Sequence, residues 1–201
     1  MPEKRDAWHM PDVEPAHFLG SGRADQEMVR LGHDLISKYP DLDMPYYWLS
    51  HHYLLKGDPA TARTLLDQGL RLCNRKINLC CEYGVVEYEA GNMSEAVKWW
   101  TREVVLQITS GVFDSYSGFL YLGYVAGSCG LSGESELLFR VTDAIKSLRL
   151  NDSGQQKLHL MVRNADSRLL AAVIKLLVAT YKKKLSAVAH KTRSSGADGD
   201  S

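Results

Sequence analysis

The chain has 201 residues, 45% hydrophobic and 24% charged, a balance that supports a folded core and excludes a collagen-like or wholly disordered polymer. Its 24 basic and 24 acidic side chains cancel, so no net field gathers nucleic acid or an anionic membrane, and neither is expected as a partner. Cys73, Cys80, Cys81 and Cys129 form no C-x-x-C pair or zinc-site spacing and fall inside apolar helical patterns, which reads as buried thiols in a reducing cytoplasm.

Residues 1–22 are polar, hold Pro2, Pro11 and Pro15, lack the layout of a secretory signal and are expected to be mobile. Residues 23–42 carry Met28, Leu35 and Ile36 at helical spacing before Tyr39-Pro40, as the second half of a degenerate hairpin would. Two clear units follow, 43–76 and 77–110. YYWLSHHYLLKGDPATARTLLDQGLRLCN (46–74) aligns without a gap on CCEYGVVEYEAGNMSEAVKWWTREVVLQI (80–108) after a shift of 34 residues. That shift places Gly57 on Gly91, Ala62 on Ala96, Leu66 on Trp100 and Leu70 on Val104. Each unit reads as helix, tight turn, helix. Gly57 and Gly91 end the first helix where positive φ is needed, and Pro59 suits the first turn of a helix while Ser94 marks the start of its counterpart. Ala62 and Ala96 sit where the paired helices cross.

In residues 116–150, Phe119, Leu122 and Gly123 open a third, degenerate hairpin after about five inserted residues around 111–115. There, residues 131–134 are expected to lengthen the inner turn by two before Leu137, Ala144 and Ile145 restore the pattern. Residues 151–191 read as a short and a long capping helix, with Asp166 or Ser167 as the N-cap of the second. Residues 192–201 are a Gly/Ser/Asp-rich tail expected to be disordered. The longest apolar run, 169–181, is interrupted by Lys175 and is too short to span a bilayer, so no membrane insertion is expected.

These residues resemble the tetratricopeptide repeat family, whose hairpins recur every 34 residues. The resemblance implies an all-α, right-handed α-solenoid of about three hairpins with a C-terminal capping pair. This sequence departs from the family pattern at Glu87, where an aromatic is usual, and at Gly69 and Glu103, which replace a later alanine. In the family the concave face, lined by the first helix of each hairpin, holds the ligand. Carried over, that face comprises Tyr47, Trp48, His51 and Leu55; then Asn78, Cys81, Glu82, Val85, Tyr88 and Glu89; then Leu120, Tyr121, Tyr124 and Ser128. None is lysine or arginine, which argues against the basic clamp by which some members grip a C-terminal carboxylate.

No phosphate-binding glycine loop, H-E-x-x-H, nucleophile elbow or carboxylate cluster is present, so no catalytic residue, cofactor or enzyme activity is expected. His51 and His52 are adjacent on a helix and diverge by about 100°, which does not suit one metal ion. Cys80 and Cys81 diverge likewise and read as core, Cys81 being the candidate accessible thiol. Lys182, Lys183 and Lys184 read as a solvated helix end. The expected function is a scaffold or chaperone-like adaptor that holds a protein or peptide, of the size of the small tetratricopeptide chaperones of bacterial secretion systems. Leu169, Leu170, Val173 and Leu177 could pair with a second copy, giving a homodimer. The alternatives are a self-assembly module or a non-catalytic regulatory subunit of an enzyme or secretion complex.

Overall fold

The computed structural model describes residues 23–148 and, beyond them, Gln156, Lys157, Val162, Arg168, Ala171, Ala172, Val173, Lys175 and Leu176. The described residues are all-helical: α1 (Arg23–Lys38), α2 (Asp43–Leu55), α3 (Pro59–Leu72), α4 (Ile77–Glu89), α5 (Met93–Ser110), α6 (Ser117–Ser128) and α7 (Ser132–Leu148). Neighbours pair as α2 with α3, α4 with α5 and α6 with α7; α3 and α2 also meet α4, α5 meets α6, and α1 packs on α2. The capping helices expected over 151–191 fall largely outside the described residues.

The turn inside each pair has one construction. Gly57, Gly91 and Gly130 take φ of 78°, 77° and 74°, a conformation that β-carbons disfavour. The N–H after each glycine reaches back five residues: Asp58 to the Tyr53 carbonyl (2.9 Å), Asn92 to Glu87 (2.7 Å) and Leu131 to Ala126 (2.9 Å). This is the Schellman arrangement, which satisfies the orphan carbonyls of a helix end. The second helix then starts two residues after the glycine every time, at Pro59, Met93 and Ser132. Residues 131–134 therefore do not lengthen the third inner turn, contrary to expectation. Ser135 takes the place held by Ala62 and Ala96, and its Oγ donates to the Gly123 carbonyl (2.8 Å), so a polar residue serves at a crossing that the first two pairs fill with alanine. The extra length lies in the loop before α6, after Gly111 ends α5 at φ 69°.

Capping differs between pairs. Asp58 accepts from the Thr61 N–H (3.0 Å) and from the Thr61 hydroxyl (2.6 Å), with Pro59 in the first turn of α3. Asn92 does not cap α5; its side-chain amide donates to Glu87 Oε2 (2.7 Å) while Arg63 Nε donates to Oε1 (2.6 Å). Burial opposes the charge on Glu87, but those two donors prevail and hold its carboxyl below the ordinary range. An ion pair between α3 and α4 thus stands where the repeat pattern prefers an aromatic.

Helix crossings are set by small residues. A β-carbon on Gly84 would overlap the Trp100 indole, and one on Gly123 would lie 2.9 Å from the Phe139 ring. Trp100 is fully buried and donates from Nε1 to the Cys81 carbonyl (3.2 Å). Between pairs the size relation reverses. A β-carbon on Gly69 would meet Leu79 and Tyr46 at 3.0 Å, whereas the counterpart of Gly69 one unit on is Glu103, facing Gly118 in the place of Leu79. Small against large has become large against small. The exchange conserves volume and buries a carboxyl.

Candidate functional site

Trp48, His51 and Leu55 follow one another at three- and four-residue steps on α2 and so share a face. Trp48 is 48% and Leu55 41% exposed, among the large apolar side chains most open to solvent. The Tyr47 ring, half-buried, stacks near the His51 imidazole with centroids 6.3 Å apart. From α4, Glu82 reaches the same place: His51 Nδ1–H donates to Glu82 Oε1 at 3.0 Å. Glu89 is exposed at the end of α4.

Of the remaining expected groove residues, Ser128 is exposed at the end of α6 and the others are less open. Tyr121 is 8% exposed and lies 4.7 Å from the Trp100 ring, so it belongs to the core. Tyr88 is half-buried with its ring 6.1 Å from Trp100, Val85 is half-buried against the same cluster, and Tyr124 meets Phe139 edge-on at 5.0 Å. Asn78 is occupied with Asp43 Oδ2, to which its amide donates at 3.2 Å. Cys81 is buried, and burial pushes its thiol well above the usual range, which removes it as an accessible nucleophile. Of the expected oligomer contacts, Val173 is 2% exposed within the chain's own core; Leu169, Leu170 and Leu177 lie outside the described residues.

Beneath the face runs a buried polar network that sequence reasoning had treated only as a lost alanine. Glu103 is fully buried, and Oε1 accepts from Gln107 Nε2 (3.2 Å) and from the Gly118 N–H (3.3 Å). Gln107 Oε1 in turn accepts from the Ser115 N–H (3.2 Å). Burial raises the Glu103 carboxyl to about 7, against hydrogen bonding from Ser115, the Gly118 N–H and Cys81, which pulls the other way. The network fastens the loop before α6 to α5. Burial and the nearby Glu82 and Glu103 carboxyls also push the Tyr47 and Tyr121 phenols upward, so both rings stay neutral.

His51 and His52 turn to different helices, the first to Glu82 and the second to Asp25 of α1 (Nδ1 to Oδ1, 3.0 Å). Lys56 also reaches Asp25 at 2.8 Å and holds that carboxyl below its ordinary value. Asp25, Gln26, Val29, His52 and Tyr53 line a shallow cleft between α1 and α2. Among the described residues no group of three or more His, Cys, Asp or Glu is placed to hold a metal ion, and no helix is long and apolar enough to cross a membrane.

No protein-family model, curated protein or solved structure matches the chain. Any functional reading therefore rests on the face itself.

The His51–Glu82 bond makes one prediction here. Its hydrogen bond to Glu82 raises the imidazole above 6.5, ahead of the opposing effect of burial. The stability this adds is fully present below pH 6.5 and is lost as pH rises through the higher folded value. An NMR titration should place His51 above 6.5, and Glu82→Gln should bring it down; an unchanged midpoint in the variant would show that the carboxylate is not the cause.

Proposed function

We propose that this chain is a tetratricopeptide-like α-solenoid of about three hairpins, closed by capping helices in 151–191, that works as a cytoplasmic scaffold or chaperone-like adaptor. It holds a segment of another protein on the face formed by the first helices of its hairpins. The architecture is supported by the matching glycine turns at 57, 91 and 130 and by the 34-residue alignment of the first two units. The observation that carries the binding claim is the pair Trp48 and Leu55, half-exposed and two turns apart beside a part-buried histidine–carboxylate bond. Aromatic and aliphatic side chains left open beside oriented polar groups are what a partner's apolar anchors need, since they give large contact area at small loss of side-chain freedom.

The test is affinity purification with Trp48→Ala/Leu55→Ala beside the wild-type chain. Both residues are only about half-exposed, so the melting temperature should fall by no more than a few degrees while captured partners are lost. Identical partner sets from both proteins would place binding elsewhere.

A further inference from the structure

We infer that the face around His51 selects a protein segment bearing a lysine or arginine flanked by two apolar side chains. The inference rests on the proposed binding role of this face and specifies its ligand. Charge comes first. The positions assigned to the face contain no lysine or arginine, while Glu82 and Glu89 are both acidic.

Glu82 is the sharper of the two. Its side chain is 3% exposed, and only one oxygen is engaged among the described residues, by His51 Nδ1. The second oxygen accepts no hydrogen bond among the described residues. A buried carboxylate held by a single imidazole N–H is under-compensated, and a guanidinium or ammonium supplies both charge and donors. The Tyr47 ring stacks near His51, the residue that holds Glu82, and an aromatic face attracts a cation. A carboxylate-bearing segment would meet Glu82 and Glu89 with repulsion.

Spacing comes second. Trp48 and Leu55 are seven residues apart on α2, a rise of roughly 10 Å, with His51 between them. A ligand that covers both and reaches Glu82 needs its cation between two apolar side chains separated by about that distance. On a partner helix this is apolar, basic, apolar at successive one-turn steps.

The experiment is selection of a displayed random dodecapeptide library on the full-length chain, with counter-selection on Trp48→Ala/Leu55→Ala. Peptides that bind only the wild-type face should be enriched in Lys or Arg between apolar residues. An enriched peptide should lose affinity by about tenfold or more with Glu82→Gln, which keeps the side chain's shape and removes its charge. Equal melting temperatures of the Glu82→Gln and wild-type chains will show that the loss is not unfolding. Enriched face-dependent peptides without basic residues, or with affinity unmoved by Glu82→Gln, overturn the cation preference and leave the binding face standing. Peptides whose capture is unaffected by the Trp48/Leu55 double substitution overturn both.

Discussion

Gly84→Val is expected to destabilise the chain by about 3 kcal/mol or more, the largest effect of any single substitution proposed for it. The new side chain would enter the volume of the Trp100 indole, which is fully buried and tied by its N–H to the Cys81 carbonyl. Neither helix can retreat without opening the cluster of Val97, Val104, Phe119 and Leu122. The first pair suggests the compensation. There Ser50 stands in the register of Gly84 and Leu66 in that of Trp100, and the Ser50 hydroxyl donates to the Tyr47 carbonyl at 2.8 Å. Gly84→Ser and Trp100→Leu should each be costly alone, the second by about 3 kcal/mol as a cavity. Combined they should cost clearly less than their sum, a coupling that urea unfolding of the four proteins will measure. Strict additivity would mean that the crossing is not governed by the glycine–indole contact.

Glu103→Gln is expected to act in the opposite direction, stabilising the protein at pH 8 by an amount on the order of 3 kcal/mol. In the folded chain Glu103 titrates near 7 instead of 4.5 because it is buried. Below pH 4.5 it is protonated in both folded and unfolded states. Between 4.5 and 7 the folded state retains a proton that the unfolded state releases, so this residue's contribution falls as pH rises and is gone above 7. Glutamine keeps the acceptor for the Gly118 N–H and the Gln107 amide but cannot ionise. Unfolding curves across pH 4.5 to 8 should therefore converge at the acidic end and separate towards neutrality. Parallel curves would contradict the raised carboxyl, because His51 and the other titrating groups are common to both proteins.

The turns and the helix crossings mark where sequence reading succeeds and fails. The turns were legible at Gly57 and Gly91 because positive φ is a local demand that restricts residue type directly. Ala62 and Ala96 were legible for a related reason: a fully buried crossing tolerates little beyond a methyl group. At the third pair the same demand is met by Ser135, whose hydroxyl finds a carbonyl, so no alanine marks the crossing and the turn length was not legible there. Glu103 and Gly118 were not legible because each is odd alone and sensible only together, and their contact joins helices of different pairs.

The groove shows the same limit more sharply. Trp48, Glu82 and Tyr121 are register equivalents, yet they are 48%, 2% and 8% exposed. Periodicity places all three on one helix face. It says nothing of His51 covering Glu82 or of the Trp100 ring taking up Tyr121. The expected aromatic groove thus narrows to an α2 stripe with a carboxylate behind it.

That stripe is tested most directly by photocrosslinking in cells, with benzoylphenylalanine placed at Trp48 or Leu55 and, as controls, at Leu31 of α1 and Leu72 of α3, which are 51% and 47% exposed. Adducts to a partner protein from positions 48 and 55, with none from 31 and 72, are the predicted result. Adducts from 31 or 72 with none from 48 or 55 would contradict it.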